Sequence, residues 1–178
     1  MRSPMRTVVL SAAAVVVAAT AGGCGSSTSS SANPPVGCST SGAASSTESA
    51  GYRYVLNVGP TEEMYSKAEV AASHPKTGEV MIGGVMSMAQ GPDARHVEVH
   101  ICSRPDGRVV VGASPSITIT DTTTGTTSAL QVTTMQGVTT GESDLHYGNN
   151  VDLPAGHAFV VHVGLRGQQA TLPFTRPR

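Results

Sequence analysis

Residues 95–102 read RHVEVHIC. Val97, Val99 and Ile101 recur at every second position, the repeat of a strand that buries one face. The other face carries His96, Glu98, His100 and Cys102. A polar strand face is ordinary where it meets water, so spacing alone leaves two readings open: a solvated face, or a row of metal ligands.

Working outward from this strand, short segments rich in Val, Ile and Thr follow one another. Residues 52–58 (YRYVLNV) alternate, with Tyr54, Leu56 and Val58 able to face inward. Residues 79–88 (EVMIGGVMSM) carry Gly83-Gly84, which suggests a strand with a bulge or a close backbone contact. After RPDG at 104–107, a turn in which Pro presets φ and Gly tolerates positive φ, come RVVVG, SITITD, SALQVTTM, NNVDL, HAFVVHVG and QQATLPF. Only SKAEVAA, residues 66–72, suits a helical turn or two, ended by Pro75 and Gly78. Short strands at such spacing predict an all-β chain, an antiparallel sandwich or barrel.

The N-terminus has the layout of a secretory signal. MRSPMR is positively charged, TVVLSAAAVVVAAT is apolar, and Ala21, Gly22 and Gly23 precede Cys24. The apolar run is short for a permanent span, which needs about 20 residues. The AGGC junction resembles a bacterial lipobox, which implies that Cys24 becomes the lipidated first residue and holds the protein at a membrane on its extracytoplasmic side. Residues 24–50, dominated by Ser, Thr, Gly and Ala, read as a disordered tether, and residues 51–178 as one folded domain. With Cys24 acylated, Cys38 and Cys102 remain, and an oxidising compartment favours a disulfide between them over two free thiols. Removing residues 1–23 takes Arg2 and Arg6 from eleven basic residues, leaving nine against twelve acidic ones. That balance speaks against a nucleic-acid binder.

Enzyme signatures are missing from the sequence: it holds no GxSxG, GxGxxG, GxxxxGK[ST], HExxH or CxxC. The expectation is a protein that is not an enzyme, with a hydrolase built on an unrecognised triad as a weaker option. Metal donors are more plentiful. Besides His96, Glu98 and His100, His146 stands in the polar stretch DLHYGNN, expected to be a loop. Met81, Met86, Met88 and Met135 supply thioethers, and His157 and His162 read as ordinary strand residues. Imidazole suits copper, zinc and iron, and thioether favours copper.

HVEVHI followed by LHYGNNV resembles the periplasmic iron-uptake-associated, copper-binding proteins of bacteria, in which a His-Leu-Glu-Ala-Asp-Ile motif precedes a His-Tyr-Gly-Ala-Asn motif. The resemblance spans roughly residues 52–164. It implies an immunoglobulin-like sandwich, a homodimer, copper held by His, Glu and Met side chains, and, for some members, work with a membrane iron permease. Position by position, His96 and Glu98 match the first motif and His146 the second. Met135 is a candidate fourth ligand, set farther from His146 than the family's Met, and His100 is expected in or beside the site. The family's C-terminal His-Arg-His segment has no counterpart in the terminal LPFTRPR.

The expectation is therefore a lipid-anchored extracytoplasmic β-sandwich that binds a transition metal, copper before iron or another divalent cation. Its rival is an immunoglobulin-like surface lipoprotein that binds a protein or glycan without metal. Geometry separates them: bonds of about 2 Å require His96 and His146 to lie within a few ångströms of each other.

Overall fold

The structure, a computed structural model, describes residues 35–87, 89–104 and 106–178. The signal segment, Cys24 and the first part of the expected tether lie outside the described residues, as does Met88. Among the described residues, no helix is long and apolar enough to cross a membrane.

Eleven strands among the described residues form two sheets: β1 (Ser45–Ser49), β2 (Tyr52–Gly59), β3 (Met64–Tyr65), β4 (Glu79–Gly83), β5 (Ala94–Ser103), β6 (Ser116–Asp121), β7 (Thr126–Ala129), β8 (Thr133–Gly137), β9 (His146–Asp152), β10 (Ala158–Leu165) and β11 (Gln168–Thr175). The larger sheet runs β1-β2-β5-β9-β8-β4-β3 and the smaller β11-β10-β6-β7. Neighbours are antiparallel except β3 and β4. The fold is the expected all-β sandwich. Its core interleaves Tyr54, Leu56, Val97, Val99, Ile101 and Tyr147 from the larger sheet with Ile117, Ile119, Phe159, Val161, Val163 and Leu172 from the smaller. The period-two alternation of β2, β5, β6, β10 and β11, with Tyr147 from β9, supplies those side chains, each contributing about 1.5–3 kcal/mol on burial.

The one α-helix among the described residues, α1 (Lys67–Ser73), begins with a capping box. The Ser66 hydroxyl accepts from the Glu69 amide, and the Glu69 carboxylate accepts from the Ser66 amide. Between Met81 and Gly83 the register of β4 against β8 slips, and at Gly84 the backbone passes so close to Thr133 that a Cβ would lie 2.7 Å from its Cα, the bulge and close contact that the glycine pair suggested.

Several expectations need correction. The tether does not extend to residue 50. Val36–Cys38 form a 3₁₀ turn with Cys38 buried, and β1 pairs along the edge of β2. Backbone hydrogen bonds suffice for such an edge strand, so its Ser- and Thr-rich composition hid it. RVVVG is no strand: Val109 makes a lone bridge to Cys102, and the Tyr147 hydroxyl donates to Val110 O while accepting from the Ala113 amide. SALQVTTM is divided, β7 in one sheet and β8 in the other. His146 opens a strand instead of sitting in a loop. Tyr147 points into the core, and Gly148 lets β9 approach β5 so closely that a Cβ there would meet Val97 O at 1.7 Å.

Cys38 and Cys102 form a disulfide across 64 residues of sequence. The bond ties the 3₁₀ turn to β5, and Gly37 lies against the His100 ring, where a Cβ would come within 2.2 Å of Nδ1. Closing a loop of that length in the unfolded chain is worth about 4 kcal/mol. Replacing both cysteines with serine should therefore lower unfolding free energy by up to that amount in denaturant titration. An unchanged midpoint would show that the turn is held without the bond.

Candidate metal centre

Residues paired across a sheet share a face, so the register assembles the site. On the face of the larger sheet away from the sandwich core, His96 stands opposite Asn150, Glu98 opposite Gly148 and Asn57, and His100 opposite Val55. His146 stands opposite Met135, and Met135 opposite Met81. One row across β2, β5, β9, β8 and β4 thus carries His96, Glu98, His100, His146 and Met135.

This face is not solvated. His96, His100, His146 and Met135 are all completely buried, and Glu98 is half-buried. Both faces of β5 are covered: the valines and Ile101 by the second sheet, the imidazoles by the 3₁₀ turns and the segment around β3. Buried polar groups cost several kcal/mol unless paired, so the partners of the three rings are informative.

Each ring has Nδ1 against an oxygen that can only accept. His100 Nδ1 donates to Leu145 O at 3.2 Å, His146 Nδ1 to Asp144 O at 2.9 Å, and His96 Nδ1 to Asn150 Oδ1 at 2.9 Å. The proton of each neutral ring is thereby fixed on Nδ1, and the Nε2 lone pair points inward. His96 Nε2 and His146 Nε2 face each other at 3.4 Å, and His100 Nε2 meets Glu98 Oε2 at 3.3 Å. Two lone pairs at such a distance repel unless a proton or a cation lies between them. Two ligands on a tetrahedral ion, with bonds of about 2.0–2.1 Å, are separated by about 3.3–3.4 Å. Nδ1 held by a carbonyl with Nε2 free is also how metal-binding histidines are commonly oriented. Ligand atoms of Glu98, His100 and His146 all lie within 4.8 Å of one another.

The titration behaviour fits a site short of a cation. Burial pushes His146 down to about 4, with Glu98 opposing, so its lone pair is available well below the ordinary histidine pKa. Burial alone would raise Glu98, but the hydrogen bond to His100 and the charge of the nearby imidazoles, present once a ring takes up a second proton, outweigh it and hold it near 2. Asn57 Nδ2 also donates to Glu98 Oε2, at 3.3 Å.

Glu79 is a residue that sequence reading missed. It is buried at 5% exposure, its Oε2 has no hydrogen-bond partner, and that atom lies 3.8 Å from His146 Nε2. Burial, reinforced by the charges of Glu62, Asp144 and Glu98, pushes it up to about 9. Its position at the head of the apolar run EVMI gave no sign of this, because its neighbours come from distant segments. His157 and His162 stand apart. His157 pairs with Asp121 at 2.8 Å, and His162 lies on β10 in the smaller sheet.

No family model matches the chain, and no curated protein does either. Among solved structures, the chain is similar to FetP from uropathogenic E. coli strain F11. The sequences are 13% identical over 76% of this chain and 94% of that one, with a TM-score of 0.48. That likeness is too distant to bear on what this chain binds.

Glu79 gives a pH-dependent stability. Because its folded pKa is raised from 4.5 to about 9, its contribution is complete below pH 4.5 and lost as pH climbs toward 9, at up to about 1.4 kcal/mol per pH unit. Glu79→Gln should raise the melting temperature of the metal-free protein by several degrees at pH 8 and change it little at pH 4.5. Equal shifts at both pH values would contradict the assignment of a buried, proton-holding carboxyl.

Proposed function

We propose that this protein binds one transition-metal cation between His96, Glu98, His100 and His146, and that its role is to hold and pass on the metal. The observation that carries the reading is the 3.4 Å approach of two imidazole Nε2 atoms whose Nδ1 protons are both committed to oxygen acceptors. A glycan- or protein-binding face has no use for lone pairs buried against each other, and both rings are completely buried.

Copper is the preferred metal. Three imidazoles and one carboxylate suit several first-row ions, and the buried thioether of Met135 beside His146 shifts the preference toward copper. The HVEVHI and LHYGNNV motifs, with their resemblance to the iron-uptake-associated copper-binding family, point the same way. A handling role in place of catalysis is supported by the partners of the three rings. Among the described residues these are carbonyl, amide and carboxylate groups and one another, with no hydroxyl or thiol to activate. The signal segment, the lipobox-like AGGC and the disulfide support a lipid-anchored extracytoplasmic location.

His96→Ala/His146→Ala should lower copper affinity by more than about a hundredfold while the circular dichroism of the β-sandwich stays intact. Calorimetric titration of both proteins reads this directly. Unchanged stoichiometry and affinity in the double variant would place the metal elsewhere or remove it from the account.

A further inference from the structure

The metal centre is closed on most sides. At one end of the row, Gly37 and the disulfide-tied turn cover His100. At the other end lies a cleft of about 640 Å³, bounded by Glu62, Glu63, Tyr65, Glu69, Met86 and Asn150. Asn150 links the cleft to the centre. It forms part of the cleft wall, its Oδ1 accepts from His96 Nδ1, and its Nδ2 donates to Glu62 O at 3.4 Å. The opposite wall is tied down by Asn149, which accepts from the Ser87 amide at 2.8 Å and donates to Val85 O at 2.9 Å.

Three carboxylates around a cleft would be a solvated acidic patch and nothing more. Glu79 changes that. Glu79 pairs with Met64 of the cleft wall, and its buried Oε2 lacks a hydrogen-bond partner and lies 3.8 Å from His146 Nε2. A buried carboxyl oxygen without a hydrogen-bond partner, next to a second acidic side chain, is a place where a divalent cation can displace a proton.

Resting on the metal-binding reading above, we infer that Glu62 and Glu79 form a transfer site for the incoming cation. Glu62 meets the hydrated ion in the cleft, Glu79 draws it inward, and His146 Nε2, 3.8 Å from Glu79 Oε2, receives it. The ligand class is a divalent transition-metal ion shedding its water shell. As the cation arrives the O–H bond of the Glu79 carboxyl breaks and its proton leaves to solvent through the cleft; carboxylate oxygens replace water oxygens, and imidazole nitrogens then replace carboxylates.

The test is stopped-flow association of copper(II) with the full mature chain, comparing wild type with Glu62→Gln and with Glu142→Gln. Glu142 lies in the 3₁₀ turn Gly141–Asp144, which runs into Leu145, the acceptor for His100 at the other end of the row. Glu62→Gln should slow association roughly threefold to tenfold and flatten its salt dependence, as loss of local steering does. Stoichiometry should be unchanged and equilibrium affinity should change less than the rate. Glu142→Gln should associate as wild type does. Wild-type kinetics in Glu62→Gln, or equal slowing by Glu142→Gln, would overturn the route while leaving the metal centre standing. A wild-type chain that takes up no stoichiometric copper would overturn the centre and the route together.

Discussion

Three hydrogen bonds hold this account together: His96 Nδ1 to Asn150, His100 Nδ1 to Leu145 O, and His146 Nδ1 to Asp144 O. Each acceptor is a carbonyl-type oxygen without a proton to give. The three rings are thus locked in one tautomer, and their remaining lone pairs are turned away from solvent. Without those bonds the rings could rotate, exchange tautomers, or satisfy one another as donor and acceptor. With them, His96 and His146 are left presenting lone pairs to each other in a dry interior, an arrangement that a neutral apolar core would gain nothing by keeping.

The fold exists, in this view, to afford a face on which both sides of one strand are buried. The core side of β5 packs against the smaller sheet and provides the cohesion of the domain. The outer side is covered piecemeal: by the turn tied through Cys38–Cys102, by the segment leading into β9, and by β3 with the chain around Glu62. Covering polar residues with loops costs stability. The raised pKa of Glu79 measures part of that cost, since a carboxyl held protonated near neutral pH opposes folding more strongly as pH rises.

Much of this was legible in the sequence. The alternation of Val97, Val99 and Ile101 fixes which face of β5 enters the core, and so places His96, Glu98 and His100 together on the other. The HYGNN stretch, with a histidine, a core tyrosine and a glycine in succession, identifies the neighbouring strand, although its polarity suggested a loop. Three things were hidden. The edge strand β1 is paired through its backbone, so its Ser-Thr composition looked like tether. Glu79 owes its burial and its neighbours to what distant segments bring to it. The burial of the outer face follows from loops whose paths no periodicity encodes.

The most direct measurement is the position of the metal itself. Crystals of the protein grown or soaked with copper should show one strong anomalous-scattering peak within about 2.0–2.3 Å of the Nε2 atoms of His96, His100 and His146, with the Glu98 carboxylate completing the set. A peak at surface groups such as His157 and Asp121 alone, or no peak at full copper loading with the buried imidazoles unmoved, would contradict the account.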